Sequence, residues 1–290
     1  MSLNDIDLTE VWGQIYIEGR LVSACEGRVS AFDRGLLYGD GVYETVRVYA
    51  GKPFMLDAHL RRMAHGCSAI GLTAPDAKDI EEGVRLVLQA NGLKEEAYLR
   101  ITVTRGATGK LWHDLACAKP SLVIIAKPYA APNFGDGLRL VVSRFRTDER
   151  SPLSGIKQIG ILPKIMARAE ALRADANDVI LLDTRGFVSE ATSSNAFWVR
   201  EERLFTPSLT CGILDGITRA IVMEIAKGEG IPVVEGEFAL DDLYAAEEVF
   251  LTSSTWEIAP VRSVDGTAFP GAAGPVTQRL TELYRRRTSV

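Results

Sequence analysis

Histidine and cysteine are both scarce in this chain of 290 residues, at three and four copies. His59, His65 and His113 are dispersed, which excludes the grouped ligands that a zinc centre takes, so no metal is expected. Cys25, Cys67, Cys117 and Cys211 show no CxxC spacing. The reading is reduced thiols of a cytoplasmic protein rather than a disulfide framework. Long apolar runs are missing too. The best candidates, such as residues 121–126, are strand-sized, against the roughly 20 residues of a membrane span. The first ten residues, MSLNDIDLTE, are acidic and polar, unlike the basic and then apolar order of a secretory leader. There is no basic excess: 33 Lys and Arg stand against 38 Asp and Glu, a net charge of −5. A nucleic-acid partner, which needs a basic face to displace counterions, is therefore not expected.

What is present is an ordinary folded composition, 47% hydrophobic and 24% charged, in a length that suits two domains. The patterning predicts strands over 42–49, 98–104 and 121–126, and helices over 57–70 (capped by Asp57, stopped by Gly71) and 79–90 (closed by Asn91 and Gly92). A Pro-, Gly- and Ala-rich stretch from Pro128 to Gly137 divides the chain into an N-terminal domain (1–128), a linker (129–137) and a C-terminal domain (138–290). The second part predicts a strand over 138–145 and a helix opened by Pro163. Hairpins follow over 179–190 and 195–206, then a helix over 216–228, strands over 231–234 and 249–252, a short helix near 241–245 and a last helix from Gly274. This order, rich in antiparallel hairpins, reads as α+β.

Five local features suit a bound phosphorylated aldehyde cofactor. Lys157 lies in the apolar run SGIKQIGIL, where desolvation favours a neutral, nucleophilic amine. Glu190, in FVSEATSSN at a strand end, suits a buried acid beside a protonated ring nitrogen. Gly216-Ile217-Thr218-Arg219 opens a helix whose free N–H groups favour phosphate. Thr252-Ser253-Ser254-Thr255 offers a row of hydroxyls, and Arg62 in His59-Leu60-Arg61-Arg62 offers a cation. Each feature alone also fits an ordinary surface lysine, turn acid, helix cap or turn.

Their joint order resembles the fold-type IV pyridoxal-5′-phosphate (PLP) enzymes, the class IV aminotransferases. The resemblance runs from about Val11 to Tyr284. Tyr38-Gly39-Asp40-Gly41-Val42-Tyr43-Glu44 looks like the family's N-terminal signature, and Gly155-Ile156-Lys157 like its Schiff-base strand. Residues 178–197 resemble the hairpin that presents Glu190, and 212–219 the phosphate loop. The resemblance implies a two-domain α+β fold, with an N-terminal α/β sandwich and a C-terminal pseudo-barrel flanked by helices. It implies PLP on Lys157, with Arg62, Glu190, Leu214, Ile217, Thr218, Ser254 and Thr255 binding the cofactor. Tyr38, Tyr43, Arg47, Tyr98, Arg100, Thr255 and Trp256 would line the substrate pocket. Gly160, Ala191 and Trp256 depart from residues usual in the family, and Trp256 is bulky enough to reshape that pocket.

The implied reaction is a ping-pong transfer of an amino group between an amino acid and a 2-oxo acid. Tyr98-Leu99-Arg100 and Arg47 resemble the branched-chain aminotransferases, although Thr45 departs from their usual glycine. Thr45, Arg47 and Arg100 also fit aminodeoxychorismate lyases, which release pyruvate to give 4-aminobenzoate. A D-amino-acid or (R)-amine transaminase is the third reading, weakened by Lys110-Leu111-Trp112-His113 where such enzymes carry Arg-x-His. The family further implies a homodimer with active sites at the interface, and Trp112 would fit a lid over the site.

Overall fold

The computed structural model describes residues 13–109, 113–115, 119–270 and 273–289. Val11, Lys110, Leu111, Trp112 and Cys117 lie outside the described residues. The chain divides into two compact units, Met1–Ala130 with Lys157–Gly160, and Ala131–Ile156 with Ile161–Val290.

The first unit is built on a six-stranded antiparallel sheet of order β2-β1-β6-β5-β3-β4, with β1 Gln14–Ile17, β2 Arg20–Ser23, β3 Gly41–Tyr49, β4 Lys52–Pro53, β5 Ala97–Thr104 and β6 Ser121–Pro128. Its strands alternate. Val42, Glu44, Val46 and Val48 of β3 are buried, while Tyr43, Thr45 and Tyr49 are half-buried on the opposite side, as the period of two requires. Helix α2, Leu56–Ala69, packs on β3, and α3, Ala77–Ala90, packs on β1 and β6. Helix α3 buries Ile80, Val84, Val87 and Leu88, a stripe at helical spacing, and is capped by Asp76, whose side chain accepts from the Lys78 N–H. The short helix α1, Arg34–Tyr38, ends at Gly39 with φ 70°.

The second unit carries an eight-stranded sheet of order β11-β10-β9-β12-β13-β7-β8, with β14 beside β13. The strands are β7 Leu138–Thr147, β8 Asp178–Asp183, β9 Asn195–Arg200, β10 Arg203–Pro207, β11 Val233–Gly236, β12 Glu248–Ser253, β13 Glu257–Val264 and β14 Thr267–Ala268. Four helices accompany them: α4 Leu162–Arg173, α5 Ile217–Gly228, α6 Leu240–Tyr244 and α7 Pro275–Thr288. One core centres on Trp198, stacked on Phe205 and edge-on to Phe238; on the other face of the sheet Phe197 stacks on Phe250. Helix α4 packs Ala167 and Ala171 against Val179 and Leu181 and leaves Leu162, Ile165 and Met166 exposed. Among the described residues no helix is long and apolar enough to cross a membrane.

Several sequence expectations need correction. Asp57 lies in the first turn of α2 and does not cap it; the capping position is Met55, in the left-handed region at φ 54°. The Gly155-Ile156-Lys157 segment forms no strand. Only an isolated bridge joins Gln158 to Val42, because residues 157–160 lean on the start of β3 by two hydrogen bonds. Tyr43 N–H donates to the Lys157 carbonyl, and Ile159 N–H to that of Gly41. These bonds group Lys157 with the first unit, whereas its chain position falls in the second predicted domain. Residues 187–190 pair only through isolated bridges, Leu182 to Val188 and Glu190 to Asn195. The large sheet is not purely antiparallel: β7–β8, β7–β13 and β10–β11 run parallel.

Candidate active site

In the first unit, the polar residues of β3 divide between the two faces of the sheet. On the face covered by α2, the buried carboxylate of Glu44 is held by three donors. Arg62 Nε and Nη2 reach its two oxygens at 2.7 Å each, and His59 Nδ1 lies at 2.8 Å. Burial alone would raise Glu44, but the bonds and charges of Arg62 and His59 outweigh it and hold the carboxyl down to about 2. His59 is pushed below its ordinary value, first by burial and then by the Arg62 and Lys157 charges, against the pull of Glu44. It is therefore a neutral donor to Glu44 near pH 7, and the ion pair proper is Glu44 with Arg62.

The opposite face carries the residues expected at the substrate. Registers pair Tyr43 with Thr102, Thr45 with Arg100 and Arg47 with Tyr98, so these six side chains share one side of the sheet. The Arg100 guanidinium lies 3.3 Å from the Tyr43 ring centroid, and Lys157 Nζ lies 4.6 Å from it. Burial lowers Arg100 from its ordinary value, opposed by the neighbouring tyrosines and Glu44. Arg47 is 1% exposed; it pairs with Glu96 and sits over the rings of Tyr129 and Tyr49. Among the described residues, its Nε and Nη1 have no hydrogen-bond partner. Tyr38 is exposed at the end of α1, with Arg34 over its ring.

In the second unit, Glu190 is buried, and its carboxylate accepts from three different segments. Oε2 accepts from the Leu214 N–H at 3.1 Å and from Asn195 Nδ2 at 3.2 Å; Oε1 accepts from Lys164 Nζ at 2.8 Å. Asn195 also donates to the Leu214 carbonyl, tying Glu190 to the loop that enters α5. Gly216 caps α5 without a side-chain bond, and a Cβ there would come within 2.0 Å of Asn195 Oδ1. Asn195 pairs with Thr252 across β9 and β12, two residues before the half-buried turn of Ser254 and Thr255. Glu190, Leu214, the start of α5 and that turn therefore gather at one end of the large sheet. Thr218 is buried in the first turn of α5, and Thr252 Oγ1 is buried with no hydrogen-bond partner among the described residues. The Trp256 ring packs on the core, edge-on to Phe134 at 5.6 Å with the Arg168 guanidinium 5.8 Å away.

This donor set fits PLP. The α5 amides have no side-chain cap and stand beside hydroxyls, as a phosphate requires. Glu190 is an anionic acceptor among donors, as a pyridinium requires. In the first unit, Lys157 carries a primary amine beside the Tyr43 ring. Sequence reasoning missed Lys164 and Asn195 as partners of Glu190, and Glu44 and His59 as partners of Arg62. Glu44 and Asn195 were legible as motif members; Lys164 had no local signal beyond its place after Pro163.

The family model "Amino-transferase class IV" matches residues 41–264. A Methanocaldococcus jannaschii protein, provisionally named a branched-chain-amino-acid aminotransferase, is 38% identical over 94% of this chain and 95% of its own. The aminodeoxychorismate lyase of Bacillus subtilis is 32% identical over 94% of each chain. The branched-chain aminotransferase of the archaeon Thermoproteus uzoniensis, solved with norvaline, superposes with a TM-score of 0.89 at 34% identity, over 94% of each chain. With most of its length matched in sequence and in fold, the chain belongs to the class IV aminotransferase family.

Proposed function

We propose that the chain is a PLP-dependent aminotransferase of the cytoplasm, moving an amino group from a branched-chain L-amino acid to a 2-oxo acid, and working as a homodimer. The observation that carries the reading is Glu190, a buried carboxylate set among donors next to the uncapped start of α5. When bound, PLP supplies an electrophilic carbonyl and an electron-accepting ring. Lys157 Nζ holds the cofactor and, when released, moves the proton at the substrate Cα. Glu190 holds a proton on the ring nitrogen. The α5 amides, Ile217, Thr218, Ser254 and Thr255, with Arg62, hold the phosphate, and Leu214 packs on the ring. Arg100 is the cation for the substrate carboxylate, with Tyr43, Tyr98 and Tyr38 forming the walls. Arg47, over the rings of Tyr49 and Tyr129, and Trp256, edge-on to Phe134, complete the proposed pocket.

The branched-chain preference rests on the relatives so named and on Tyr98 and Arg100 lying on one sheet face with Tyr43. The cytoplasmic assignment rests on the four scattered cysteines, which show no CxxC spacing and no pattern of a disulfide framework. Addition of L-leucine without an oxo acid tests the function. The visible band of the lysine-bound cofactor should give way to the pyridoxamine form, and Lys157→Ala should lower turnover by roughly a hundredfold to ten-thousandfold. A band that persists in L-leucine removes the branched-chain reading. Pyruvate release from aminodeoxychorismate would then favour the lyase, supported by the Bacillus subtilis relative of equal coverage.

A further inference from the structure

The two oxygens of Glu190 have unequal partners. Oε2 is occupied by fixed donors: a backbone amide of Leu214, and the Asn195 amide that is itself anchored to the Leu214 carbonyl. Oε1 is met by Lys164 Nζ at 2.8 Å. The Lys164 side chain is 38% exposed, whereas that of Glu190 is 6% exposed. The ammonium therefore stands on a flexible stem with a route to water, and the carboxylate does not. A ring nitrogen bearing a proton needs an accepting oxygen, and Oε1 is the one not already committed to rigid donors. At that oxygen it meets a second positive charge.

We propose that Lys164 is a positioning residue that holds the Glu190 carboxylate until the cofactor arrives and then competes with the protonated ring nitrogen for Oε1. This rests on the PLP reading above. In the cofactor-free protein Lys164 compensates a buried negative charge, and removal of one partner of such a pair is destabilising. In the loaded protein the ammonium must swing into solvent or share the oxygen with a like charge, and either outcome weakens cofactor binding. Lys164 thus stabilises the empty state at the expense of the loaded one.

The test titrates PLP into the cofactor-stripped full chain, following the visible band and the dissociation constant. Lys164→Met should bind PLP about fivefold more tightly, the scale of a partly exposed ion pair. The stripped Lys164→Met protein should melt at a lower temperature than stripped wild type. Lys164→Arg, which keeps the charge, should resemble wild type in both. In a Glu190→Gln background the effect of Lys164→Met on affinity should vanish, because the competition is for that carboxylate. General damage to the site would weaken PLP binding, so tighter binding separates the proposal from a purely structural role. Equal or weaker binding by Lys164→Met overturns it and leaves the aminotransferase reading intact. Wild type that forms no lysine-bound band overturns both. Should Lys164→Met not fold, Lys164→Gln reports the same comparison.

Discussion

Glu44 accepts three hydrogen bonds in the first unit, two of them from Arg62. The carboxylate fixes both Nε and Nη2 of Arg62, so the guanidinium is held in one orientation. The depression of Glu44 from 4.5 to about 2 is a stability statement. A carboxyl lowered in the folded state contributes fully above its unfolded value and loses that contribution as the pH falls through the folded one. The scale is about 3 kcal/mol. Urea midpoints of wild type should therefore fall between about pH 4.5 and 2, and Glu44→Gln should be less stable at pH 7 and flatter across that window. Arg62 was legible because His59-Leu60-Arg61-Arg62 carries it in a recognisable order. The engagement of Lys164 with Glu190, 26 residues on, was not. A half-exposed lysine near a helix start looks alike whether it faces water or a buried acid, and only the fold decides which.

At the scale of elements, the start of α5 is a tight joint. Gly216 is required by proximity: its Cα abuts Asn195, and a methyl group would meet Oδ1 at 2.0 Å. Gly216→Ala should displace Asn195 from Glu190, lower thermal stability by about 1–3 kcal/mol and increase cofactor loss on dialysis, read from the visible band. The amphipathic elements were legible from periodicity, α3 and β3 above all, because their buried positions recur at 3.6 and 2. Strand β13 was not. It is interrupted by Pro260 and begins at Glu257 with φ 57°, so no clean alternation marks it. The parallel pairs of β7 with β8 and β13 were hidden for a different reason. Direction depends on how the chain crosses between strands, which local pattern does not encode.

For the molecule as a whole, the proposed homodimer has a specific apolar stretch to use. Val29, Phe32, Leu36, Leu37 and Tyr38 are all exposed, Phe32 at 64% and Leu36 at 68%. An exposed apolar run of this kind suits the proposed dimer contact. Leu36→Asp should shift sedimentation toward the monomer, and turnover should fall with it if a partner completes the pocket. Unchanged sedimentation would move the interface elsewhere, for instance to the exposed Leu162, Ile165 and Met166 of α4. The six-stranded sheet limits the other route to association. One of its edges is β4, only Lys52–Pro53, and the other is β2, four residues opened by the exposed Arg20. A two-residue edge with a lysine, and a proline that lacks an N–H, offers a neighbouring chain almost no ladder to extend. At high concentration the first unit is therefore protected against strand-by-strand polymerisation into fibres, and self-association is left to side-chain surfaces that can close on themselves.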